Sequence, residues 1–128
     1  MLRVYVAGPL STGGYYQNTV NIRSAIDVGE QLLVAGYAPY VPHYSHFWHL
    51  FHQHSWEQWM AYDKEMLSAC HVLLRLPGES KGADQEVAWA HEMGIPVANS
   101  VEELNALRES RSKESPRSLA EATSRAHQ

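Results

Sequence analysis

The chain has a single cysteine, Cys70, among its 128 residues. No intrachain disulfide can form, and a reducing compartment fits. An excess of positive charge is also missing, the formal net charge being -4. That argues against a scaffold for nucleic acid polymers, because contact with many phosphates needs a basic surface. A small anion held at a local site is still allowed. No apolar run approaches the roughly 18 residues that span a bilayer, so no membrane partner is expected. Residues 1–7 already read as strand, with no basic segment leading into an apolar one. No signal peptide is therefore read, and a cytoplasmic location is expected. Cys70 itself stands where a helix hands over to a strand, and reads as a small buried thiol rather than a nucleophile.

What is present is ordinary globular composition, with 45% apolar and 19% charged residues. The length suits one domain that buries its core without staples. Residues 2–7 form a β-rich run that stops at Gly8-Pro9, and residues 8–14 are a small-residue loop. Asn18 or Thr19 can cap the helix that follows, in which Ile22, Ala25, Ile26, Gly29, Leu32 and Leu33 recur at helical spacing, and Gly36 ends it. A second strand covers residues 37–41. Residues 43–54 are aromatic and histidine-rich, without strand period. Ser55 with Gln58 makes a capping-box pattern for a helix to about residue 69. Strand 71–76, loop 77–82, helix 83–93, strand 95–98 and a last helix over 101–108 follow.

This alternation predicts a Rossmann-like or flavodoxin-like three-layer α/β/α domain over residues 1–109. Its parallel sheet has four to five strands in the order 2-1-3-4. Residues 110–128 are rich in Ser, Arg, Glu, Lys and Ala, and read as a polar tail too poor in apolar surface to order itself. Ligands of such sheets bind beyond the carboxyl ends of the strands, at the switch point between strands 1 and 3. The loops after Ala7, Val41 and Leu76 must lie there, and they are the segments of unusual composition.

Four features there carry chemistry, each with a plainer alternative. The loop at 8–14 offers backbone N–H groups to an anion, aided by Ser11 and Thr12, or is simply a flexible turn. Neither a Walker loop nor Gly-x-Gly-x-x-Gly is present. Glu86 follows Ser80, Lys81 and Gly82 at a helix start, where the dipole favours the ionised carboxylate a nucleophile needs. Acidic residues are also common there for stability alone. Asp63 has apolar neighbours in Trp56, Trp59 and Met60. It is either a carboxyl of raised pKa or a surface partner of Lys64. The histidines at 43, 46, 49, 52 and 54 lack zinc-ligand spacing. Tyr44, His46, Phe47, Trp48 and Phe51 suit an aromatic lid over a flat base better than a metal site, and His43 joins His46, Phe47 and Trp48 among the candidate substrate-binding residues.

Three segments resemble one family: Tyr5-Val6-Ala7-Gly8-Pro9-Leu10, Tyr62-Asp63-Lys64-Glu65-Met66-Leu67, and residues 80–90 followed by Gly94-Ile95-Pro96-Val97. Together they resemble the nucleoside 2-deoxyribosyltransferase superfamily over roughly residues 2–100, and most of all its small 2'-deoxynucleoside 5'-phosphate N-hydrolases and CMP hydrolase-like members. The resemblance implies an N-glycosidase acting on a nucleoside or nucleotide, with transfer of the sugar to a second base, or nucleotide binding without turnover, as the alternatives. Glu86 would be its nucleophile, Asp63 an acid or sugar anchor, and Tyr5 the hydrogen-bond partner of the nucleophile. Gly8, Pro9, Leu10, Ser11, Gly13, Gly14, Ser80 and Gly82 would hold substrate. It further implies no cofactor, no metal, and a homodimer or larger assembly, placed here around Trp56, Trp59 and Trp89. The expected phosphate-loop arginine is absent from residues 11–15, leaving Lys81, Arg23 or Arg75 as substitutes.

Overall fold

The computed structural model describes residues 1–11 and 13–114. The order is β1 (Arg3–Ala7), α1 (Gly14–Val34), β2 (Ala38–Tyr40), a 3-10 turn (Pro42–Tyr44), α2 (Ser45–Phe51), α3 (Trp56–Ser68), β3 (Val72–Arg75), α4 (Lys81–Glu92), β4 (Val97–Ala98) and α5 (Val101–Glu114). The four strands are all parallel, in the order β2-β1-β3-β4.

Strand alternation assigns the two faces. Val4 and Val6 of β1 pack with Ala25 and Leu32 of α1 and Leu104 of α5. Tyr5 and Ala7, pointing the other way, pack with Leu67 of α3 and Ala83 and Ala90 of α4. The molecule is thus the expected three-layer α/β/α sandwich, and Tyr5 belongs to the face covered by α3 and α4.

Three expectations change. First, α1 begins at Gly14 rather than at Asn18, with Gly13 as its N-cap. Its first turn carries Tyr15 and Tyr16, both about four-fifths exposed, so no apolar period marks it in the sequence. Second, most of the histidine-rich stretch is helical, forming the 3-10 turn and α2, a helix with no buried residue, and only residues 52–54 stay irregular. Third, α5 runs to Glu114, past the boundary set at 109. Tyr37 donates to Asn105 Oδ1 at 2.7 Å, and Arg108 lies over the Tyr37 ring and donates to Ala35 O at 2.8 Å. Packing therefore ends near Arg108, while helical hydrogen bonding continues through exposed residues. The rest of the proposed tail, 115–128, lies outside the described residues.

Candidate active site

Loops after β1, β2 and β3 meet at the carboxyl end of the sheet, and α3 and α4 close one side. Between them lies a cleft of about 890 Å³, the size of a small-molecule site. Gly8, Leu10 and Ser11 come from the first loop, His43 and His46 from the 3-10 turn and α2, and Ser80 and Gly82 from the start of α4. Asp63 and Glu86 also line it.

Local chemistry explains the placement of each helix. Ser55 accepts from the Gln58 N–H at 3.1 Å, and the Gln58 side chain accepts from the Ser55 N–H at 3.0 Å, closing the anticipated capping box on α3. From that start Trp56, Trp59, Met60 and Asp63 fall on one face, turned to the cleft. On α4, Ser80 Oγ accepts from the Ala83 N–H at 3.0 Å. Glu86 is the sixth helical residue, one turn deeper than the helix end. Arg75 braces the loop before it, donating to Leu76 O, to Gly78 O at 2.9 Å and to Asp84 Oδ1 at 3.0 Å.

Glu86 is 5% exposed and Asp63 is 7% exposed. The fully buried Tyr5 hydroxyl donates a short hydrogen bond to Glu86 Oε2. Tyr5 and Tyr40, in register on β1 and β2, have ring centroids 5.4 Å apart. Tyr40 in turn donates to Asp63 Oδ1 at 3.4 Å. Two carboxyls are thereby joined through a pair of tyrosines beneath the cleft. Tyr40 was missed in the sequence, where it is one residue inside the second strand; its pairing with Tyr5 is set by strand register, which the sequence does not display.

Burial governs both acids. Desolvation pushes Glu86 up from 4.5 to about 8. Asp63 rises from 3.8 to about 7 for the same reason, against a smaller opposing effect of the Tyr40 hydrogen bond. Of the two readings of Asp63, the buried one holds. The expectation that the helix dipole keeps Glu86 ionised at rest is corrected: Glu86 sits in the second turn and is walled off from water, and at neutral pH its neutral form prevails.

Other expected substrate residues do not face the cleft. Pro9 supports it instead: its carbonyl accepts from His43 Nε2 at 3.0 Å, tying the 3-10 turn to the loop after β1. His43 is 2% exposed, and desolvation lowers its pKa, keeping it neutral. Gly13 and Gly14 shape the start of α1, Gly14 with φ 88°. Phe47 and Trp48, expected in a lid, turn away; Trp48 packs edge-on against Trp59 and Tyr62. The polar residues His49 and His54, together with Lys81, line the cleft. Of the three possible substitutes for a phosphate-binding arginine, Arg75 is committed to the loop and Arg23 pairs with Asp27 in solvent. Lys81 remains.

Comparison with known proteins gives a family and a fold. The model of a family described as a domain of unknown function (DUF4406) matches residues 2–99. No curated protein matches the chain. A solved structure of a 2-deoxyribosyltransferase from Bacillus psychrosaccharolyticus, described as a biocatalyst for nucleoside synthesis, superposes with a TM-score of 0.53 at 19% identity. The match covers 74% of this chain and 69% of that one, and establishes a shared α/β fold.

Proposed function

Starting from a chain that belongs to the DUF4406 family, we propose that it cleaves the N-glycosidic bond of a nucleoside or nucleoside 5'-monophosphate, with Glu86 as nucleophile. The observation that carries this reading is the buried Tyr5–Glu86 hydrogen bond at the wall of a cleft that also holds Asp63. A nucleophilic carboxylate needs a partner that fixes one oxygen and leaves the other free, and the Tyr5 hydroxyl supplies it. The shared fold with a 2-deoxyribosyltransferase supports the same bond as target.

In the proposed reaction, ionised Glu86 attacks the anomeric carbon. The C–N bond breaks, its electron pair leaves with the base, and the Asp63 proton goes to the base. A water then attacks the glycosyl ester, giving its proton to Asp63 and releasing Glu86 as carboxylate. Ser80, Gly82, Gly8, Leu10 and Ser11 hold the sugar and any phosphate, with Lys81 as the cation. No cofactor or metal takes part. The protein acts on a small molecule as a homodimer in the cytoplasm, the packed residues up to about Arg108 forming the catalytic domain.

The test is a panel of ribo- and deoxyribonucleosides and their monophosphates, with free base separated by chromatography. Wild type is expected to release base from at least one, and Glu86→Gln to lose at least about 10³-fold in kcat. Adding a second free base distinguishes transfer from hydrolysis by the appearance of a new nucleoside. Release undiminished in Glu86→Gln removes the proposal.

A further inference from the structure

The polar wall of the cleft contributed by α2 has a hydrogen-bonding sense that the structure determines. His49 Nδ1 accepts from Trp59 Nε1–H at 3.0 Å and from the His54 backbone N–H at 3.1 Å. A ring nitrogen facing two N–H donors cannot carry a proton, so the ring hydrogen resides on Nε2. His49 lines the cleft, and among the described residues Nε2 has no protein partner. The cleft is therefore presented with a fixed N–H donor on a ring wedged between α2 and α3.

Its height is set by α3. Trp59 and Asp63 share the cleft-facing side of that helix, four residues apart, which is about 6 Å along the axis. The His49–Trp59 pair thus stands one helical turn from the carboxyl that protonates the base, where the far edge of that base would lie.

The geometry points to His49 as the residue that reads the base: it selects nucleosides whose base turns a hydrogen-bond acceptor, a carbonyl oxygen or unprotonated ring nitrogen, toward α2. This rests on the glycosidase reading for the position of the sugar. A base with C–H or N–H there leaves the half-buried Nε2–H unpaired, which disfavours binding about 10- to 100-fold.

Binding is measured by calorimetry in the Glu86→Gln background, so that the leaving-group chemistry of each base does not enter. The probes are adenosine beside its 1-, 3- and 7-deaza analogues, guanosine beside its 3-deaza, 7-deaza and 6-thio analogues, cytidine beside its 3-deaza and 2-thio analogues, and uridine beside its 2-thio and 4-thio analogues, each as nucleoside and as 5'-monophosphate, so that every ring-nitrogen acceptor is removed and every carbonyl acceptor weakened in turn. With His49 present, one acceptor deletion is expected to weaken binding about 10- to 100-fold. Adding His49→Asn keeps an acceptor for Trp59 and His54 but has no group at the Nε2 position. The discrimination is then expected to fall within about twofold, at unchanged Tm and tryptophan fluorescence. His49→Gln, whose amide reaches the Nε2 position, is expected to restore it. Discrimination that survives His49→Asn, or no analogue differing from its parent, overturns the inference. Base release by wild type with His49-independent binding overturns it alone. His49-dependent binding without any base release overturns the glycosidase reading alone, and no binding of any nucleoside or nucleoside 5'-monophosphate overturns both.

Discussion

At the scale of single residues, the two buried carboxyls set a pH profile with a definite shape. Catalysis needs Glu86 ionised and Asp63 protonated, yet burial places Glu86 at about 8 and Asp63 at about 7. The productive form is then the minor one of the two singly protonated forms, about a tenth of that population. The kcat/KM profile is expected to be a bell with its maximum between these values, falling about tenfold per pH unit on each side. Activity flat from pH 5 to 7 would show Glu86 already ionised and contradict the account. Stability carries the same signature. Between the ordinary 4.5 and about 8 the folded chain keeps a proton on Glu86 that the unfolded chain has lost. Stability is thus fully present below the lower value and is lost as pH rises toward the higher. Glu86→Gln cannot ionise and keeps an oxygen for Tyr5. Its Tm is expected to match wild type near pH 5 and exceed it at pH 9, by a few kcal/mol in urea titrations. Equal pH dependence in both proteins would show that Glu86 is not desolvated. Part of this was legible in the sequence: the apolar neighbours of Asp63 offered the reading of a raised pKa, and the family resemblance picked out Glu86, Asp63 and Tyr5, but the neutral state of Glu86 was not legible, because it depends on which neighbours exclude water.

At the scale of elements, the alternation of β-rich runs with helical periods was enough to place four strands and their order, because parallel strands need crossovers and crossovers have one hand. Helices were legible where an apolar stripe meets a cap, as in α3 with Ser55 and Gln58. They were not legible where a helix buries nothing, as in α2, or opens on exposed tyrosines, as in α1. Loops position the site as much as helices do. Gly78 has φ 113°, a conformation costly to any L side chain, and a Cβ there would stand 2.8 Å from Pro9 Cγ. The loops after β1 and β3 therefore pack against each other only with glycine at this position. Gly78→Ala is expected to destabilise by about 1–3 kcal/mol in urea unfolding. It should also raise KM, since it displaces Pro9 and with it the carbonyl that holds His43. A Gly78→Ala variant as stable as wild type would show that the loops adapt freely.

At the scale of the whole molecule, one face is left uncovered among the described residues. Leu50 and Phe51 of α2 are 62% and 83% exposed, and Trp56 at the start of α3 is 61% exposed. Trp59 and Trp89, also expected at a subunit interface, are engaged within the chain, Trp59 by His49 and Trp89 beneath Lys64. The proposed dimer therefore centres on Leu50 and Phe51 of α2, with Trp56 beside it at the mouth of the cleft, rather than on all three tryptophans. A helix with no buried residue gains little from its own chain, and large apolar side chains grouped on a surface mark an interaction site. A two-fold axis would let the same patch serve both subunits. Because α2 also carries His46 and His49 into the cleft, its burial between subunits would steady that wall. Sedimentation of wild type is expected to give twice the 14.5 kDa chain mass. The double substitution of Leu50→Glu and Phe51→Glu should give the monomer, by placing like charges at the centre of the contact. Neither side chain lines the cleft, so the isolated chemistry is untouched. The monomer's activity should nonetheless fall through a higher KM, as α2 then loses the support of the second subunit and keeps its contacts with Trp59, Tyr62 and His54. A wild type that sediments as a monomer at micromolar concentration would leave α2 an ordinary solvent-facing helix, and the cleft would have to work without that support.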